Sequence, residues 1–93
     1  MRQALDISHD EIVREGLLRQ RVAASEVRRV HLYSDANGEE GLVVRRALFR
    51  FVHVSRSELS DPAVSQSVRA LVDAVRQQAR VDDGVDHFLA SVA

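Results

Sequence analysis

The sequence contains no cysteine. That excludes disulfides, zinc–thiolate sites, iron–sulfur clusters and thiol nucleophiles. It contains no lysine either, since all 13 basic residues are arginine. A GC-rich coding bias is the simple cause. The alternative is a use for the planar, permanently charged guanidinium, which suits paired carboxylates, phosphates and stacking. No segment approaches the ~18–20 uncharged apolar residues of a membrane span. Residues 1–9 show no basic stretch followed by an apolar run, so no secretory signal is read and a cytoplasmic protein is expected. With one proline, four glycines, 45% hydrophobic and 29% charged residues, the 93-residue chain has the composition of an ordinary folded protein. Its length predicts a single domain over residues 1–93. A formal charge of −1 neither recruits nor repels nucleic acid as a whole.

Local patterns predict an α+β fold of order (β)-α-β-β-α-α. Residues 2–7 read as a short strand or a lead-in. Ser8 and Glu11 fit a capping box. Ile12, Val13, Leu17, Leu18 and Val22 then recur at helical spacing, predicting a helix over about 9–24. Gly16 inside it suggests a close approach by a neighbouring element. Residues 27–33 form the strongest strand signal. Asn37-Gly38 supplies the turn, and residues 42–54 read as one long strand paired antiparallel to the first. The result is a hairpin, or a three-stranded sheet if residues 2–7 join it, packed by helices. Asp61-Pro62 marks a helix start, and Val64, Val68, Leu71, Val72, Val75 and Ala79 form one apolar stripe over about 62–80. Asp82-Asp83-Gly84 ends it, and a short helix with Val85, Phe88, Leu89 and Val92 follows.

No catalytic motif stands out. His9, His31, His53 and His87 lack metal-ligand spacing. No nucleophile elbow is present. The two glycines around Glu39-Glu40 lie between strands, where a phosphate-binding loop would open a helix. Glu39-Glu40 and Asp82-Asp83 read as solvated turn carboxylates. Neither a metal nor a cofactor is expected, and the chain is read as non-enzymatic.

The 42–54 strand is apolar on both sides, whereas a one-sided antiparallel sheet alternates. A chain this small leaves one face for another protein. The expected contact surface is Tyr33, Arg45, Ala47, Phe49, Phe51 and His53, with Phe49 and Phe51 on one face. The function expected is a protein–protein interaction module: a homodimer, or a regulatory or accessory subunit of a larger assembly. The alternative is single-stranded nucleic-acid binding, in which Arg28, Arg29, Arg45, Arg46 and Arg50 meet phosphates and aromatic rings stack on bases. Residues 47–54 resemble the third-strand motif of RNA-recognition-motif domains at Phe49, Phe51 and Val52. They depart from it at Ala47, Leu48 and Val54, and residues 2–7 lack the first-strand aromatic.

Overall fold

The computed structural model describes residues 5–8, 10–16 and 19–92. The expectations placed on residues 2–4, His9, Leu17 and Leu18 lie outside that set. Among the described residues the chain is α+β, with seven strands in two sheets and three α-helices. This corrects the expected single hairpin sheet and its (β)-α-β-β-α-α order.

The largest correction falls on the expected helix over 9–24. β1 (Leu5–Ile7), β2 (Glu11–Arg14) and β3 (Gln20–Ala23) form an antiparallel meander instead. β2 pairs with β3 through Ile12↔Val22 and Val13↔Arg21. The β-branched Ile12, Val13 and Val22 suit a pleated surface better than a helix. Ser8 caps no helix: its N–H donates to the Glu11 carbonyl at 2.9 Å across the β1–β2 turn. Gly16 marks no close approach, since nothing lies within 4 Å of a Cβ built there. The N-terminal strand belongs to this separate sheet and does not join the hairpin. A 3-10 turn, Ala24–Glu26, leads out of it.

The second sheet has strand order β6-β5-β4-β7. β4 (Arg29–Ser34) and β5 (Glu40–Ala47) form the expected antiparallel hairpin. Gly38 takes a positive φ of 81° in its turn, a conformation that glycine adopts without a Cβ penalty. The Asp35 carboxylate ties the turn by accepting from the Asn37 and Glu39 N–H groups, both at 2.9 Å. The expected single strand over 42–54 is two strands. β5 bulges between Arg45 and Ala47, turns through Leu48-Phe49, and returns as β6 (Arg50–Ser55). The short β7 (Arg80–Val81) lies parallel to β4 on its other side.

The register separates two faces. Val30, Val44 and Val52 align in one row, and Leu32, Leu42 and Val54 in the next. Of these only Leu32 is exposed; the rest are buried. α1 (Arg56–Leu59), α2 (Pro62–Val75) and α3 (Gly84–Val92) add Leu59, Val68, Leu71, Val72, Val75, Val85, Phe88 and Leu89 to the same core. Ile12 and Val22 join it from the meander, which packs beside β6. α2 begins as expected, with Asp61 accepting from the Ala63 N–H at 2.9 Å and Pro62 in the first turn. It ends at Val75, short of the expected 80, and the chain passes through a turn into β7.

Candidate interaction surface

The outer face of the second sheet carries Arg29, Arg45 and Phe51 in one row, His31, Val43 and His53 in the next, and Tyr33, Gly41 and Ser55 in the third. Residues directly opposite on paired strands share a face, so Tyr33, Arg45, Phe51 and His53 come together as the sequence suggested. They are already engaged with one another. The Arg45 guanidinium lies 4.7 Å from the Phe51 ring centroid and donates to His31 Nε2 at 3.1 Å. Tyr33 and His53 meet edge to face, with centroids 5.8 Å apart.

Ala47 and Phe49 are placed differently. Ala47 pairs with Arg50 after the bulge, and Phe49 sits in the turn. Phe49 therefore does not share a face with Phe51, as strict alternation through 42–54 required. Leu48 and Phe49 project at the tip of the β5–β6 hairpin, 72% and 82% exposed. The Arg45 guanidinium braces this tip from inside, donating to the carbonyls of Leu48 at 2.6 Å and Ala47 at 3.3 Å. The tip also interrupts the stretch that resembles the RNA-recognition motif, whose matched residues therefore do not lie on one strand.

The arginines gather at the tip end of this sheet. Arg28, Arg29, Arg45, Arg46, Arg50 and Arg80 all lie there, Arg29 facing Arg45 on one side and Arg80 on the other. Glu26 pairs with Arg46 at 3.2 Å, and Asp82 with Arg29 at 2.8 Å. Arg28, Arg45 and Arg50 make no ion pair among the described residues.

At the opposite end of the same strands lies an open cleft of about 810 Å³. It is lined by Leu5, Arg14, Tyr33, Asp35, Glu39, His53, Ser55, Ser57, Glu58, Asp61 and Val64. Arg14 is the one basic side chain in this lining apart from the histidine, and it is only 5% exposed. It donates to the His53 carbonyl, at 3.1 Å from Nε and 2.7 Å from Nη2, and to Glu58 at 2.5 Å. β6 is an edge strand, and Arg14 takes the His53 acceptor that an added strand would need. Glu58 also accepts from the Ser55 N–H at 2.9 Å. Burial pushes the Glu58 carboxyl up, but the Arg14 and Ser55 hydrogen bonds outweigh it and leave its pKa below the ordinary value. Burial, then the Arg14 charge, lower the His53 pKa, so the neutral imidazole is favoured. Burial raises the Tyr33 pKa, helped by Glu39 and Asp35.

The cleft sets the carboxylates of Asp35, Glu39, Glu58 and Asp61 beside the Tyr33 ring and the aliphatic Leu5 and Val64. Among the described residues the His53 ring has no hydrogen bond to a hydroxyl or carboxylate, so the cleft shows no paired nucleophile and base. Among the described residues no group of histidines and carboxylates is arranged to hold a metal, and no helix is long and apolar enough to cross a membrane. Arg14, Leu48, Asp35, Glu39 and Glu58 were not among the expected contact residues. The Ser55–Glu58 pair had a legible signal: Ser55-Arg56-Ser57-Glu58 is a Ser-x-x-Glu box, and both of its reciprocal bonds form. Compared with known proteins, the chain matches no family model, no curated protein and no solved structure.

Proposed function

We propose that this chain is a non-enzymatic, cytoplasmic protein–protein association module whose contact is the β5–β6 hairpin, and that its partner is a second copy of the chain. One observation carries the reading. Leu48 and Phe49 stand exposed at a braced hairpin tip beside Arg45 and Arg50, which have no carboxylate partner among the described residues. An apolar tip flanked by Arg45 and Arg50, neither of which has a carboxylate partner among the described residues, fits a partner surface that offers an apolar pocket and carboxylates. Aromatic and arginine side chains are the residue types that dominate binding energy at such contacts. A formal charge of −1 raises no net repulsion between copies.

The nucleic-acid alternative needs free aromatic faces for base stacking. Arg45 lies over Phe51, and Tyr33 lies against His53 and Gly41, which leaves Phe49 as the exposed ring. The test is light scattering during gel filtration on the wild type and on the Leu48→Ser/Phe49→Ser variant. Both side chains are largely exposed, so the variant should keep its circular dichroism spectrum and fall to the 10.4 kDa monomer mass. A variant that assembles like the wild type overturns the reading. A monomeric wild type whose salt-sensitive binding of single-stranded RNA is lost in the variant selects the alternative.

A further inference from the structure

The hairpin reading leaves open what the tip enters, and the charge layout answers it. The arginines without a carboxylate partner among the described residues and the carboxylates of the cleft sit at opposite ends of one sheet. Among the described residues Arg28, Arg45 and Arg50 at the tip end have no carboxylate partner. At the other end the cleft is lined by Asp35, Glu39, Glu58 and Asp61 against the single buried Arg14, which Glu58 already holds. The cleft also has apolar walls in Leu5, Val64 and the Tyr33 ring. At about 810 Å³ it has room for an aromatic side chain and its neighbours.

A tip cannot reach the cleft of its own chain. β4 alone separates the two ends by about 17 Å at ~3.3 Å per residue, and the strands between them are hydrogen-bonded along their length. We propose that the acidic cleft of one copy receives the Leu48-Phe49 tip of another, so that copies associate head to tail. This inference rests on the hairpin reading above and names its receiving surface. Each contact joins unlike surfaces, so two copies either exchange tips about a two-fold axis and close as a dimer, or keep a free tip and a free cleft and assemble further as a ring or an open array.

Two disabled variants test this by complementation. One is Leu48→Ser/Phe49→Ser, which removes the tip and keeps the cleft. The other is Glu39→Arg/Asp61→Asn, which reverses and neutralises charge in the cleft while asparagine retains the helix cap. Each alone should run at monomer mass. Their equimolar mixture should form a species of twice the 10.4 kDa monomer mass and nothing larger. If the cleft variant assembles like the wild type while the tip variant does not, the cleft proposal falls and the hairpin reading stands. If the tip variant also assembles, or the wild type is monomeric at every concentration, the hairpin reading falls as well.

A second measurement covers a cleft variant that fails to fold. Tyr33 is the single tyrosine and the chain has no tryptophan, so tyrosine emission reports on the cleft alone. A synthetic peptide of residues 45–50, which contains neither residue, is titrated into the tip variant. A saturable change in emission that weakens at least tenfold between low and high salt is expected. No change at millimolar peptide overturns the proposal.

Discussion

The Tyr33 ring lies directly on Gly41, its partner across the β4–β5 hairpin: a Cβ on Gly41 would fall 2.4 Å from a ring carbon. The ring occupies the space that any other residue at position 41 would need. It is thereby held against the sheet, edge-on to His53, as a wall of the cleft. Gly41→Ala should displace it and destabilise the fold by about 1–3 kcal/mol, the usual cost of overpacking. Tyrosine emission should change in the same variant. Unchanged emission and melting temperature would show that the ring does not rest there.

The apolar stripe of α2 faces the core as its spacing implied. Leu71 is 1% exposed, among Val68, Val72 and Val75. Leu71→Ala should cost about 2–5 kcal/mol in chemical denaturation, a large share of the stability of so small a domain. A loss below half a kcal/mol would contradict this packing.

Asp61 has two separable roles. It caps α2 through the Ala63 N–H and contributes charge to the cleft. Asp61→Ala should lose about 0.5–2 kcal/mol of stability, whereas Asp61→Asn should lose little, because asparagine caps as well. Both should weaken self-association by a similar factor. If Asp61→Asn destabilises as much as Asp61→Ala, the cap is not the source of the stability.

Acid should destabilise the fold in two stages. His53 and Glu58 both have folded pKa values below their ordinary 6.5 and 4.5. In each case the unfolded chain takes up the proton first, so stability rises with pH across that window. The melting temperature should fall as pH drops below 6.5 and fall again below 4.5. Glu58→Gln should flatten the lower stage and deepen the upper one, because the Glu58 charge holds the His53 pKa up against burial and Arg14. An unchanged acid slope in that variant would remove Glu58 from the account.

What the sequence disclosed follows from how local each signal is. Asp61-Pro62 and Asn37-Gly38 act through their own backbone, and both ended up where their chemistry put them. The α2 stripe was long enough for its period to be unambiguous. Ile12, Val13 and Val22 were too few to separate a 3.6-residue period from a 2-residue one, and pairing of Ile12 with Val22 across a turn decided the matter. The turn at Leu48-Phe49 contains no glycine, proline or asparagine. An apolar turn within an apolar run therefore read as continuous strand, and the true character of the tip was hidden. Outward-facing Tyr33, Arg45, Phe51 and His53 were recoverable because each lies within a strand whose alternation is regular. Arg14 could not be found, since its partners His53 and Glu58 are 39 and 44 residues away.

Because the chain has no cysteine, introduced thiols give the most direct measurement of the tip-to-cleft contact. Leu48→Cys and Ser57→Cys proteins are prepared separately, mixed, and oxidised briefly, with Gln77→Cys on the exposed turn after α2 as the reference for chance collisions. A disulfide requires Cα atoms within about 7 Å. The account predicts rapid cross-linking in the Leu48→Cys and Ser57→Cys mixture. It also predicts no more than the reference rate for Leu48→Cys alone or for Leu48→Cys mixed with Gln77→Cys. Cross-linking of Leu48→Cys to itself at the rate of the mixture, or a mixture no faster than the reference, would contradict it.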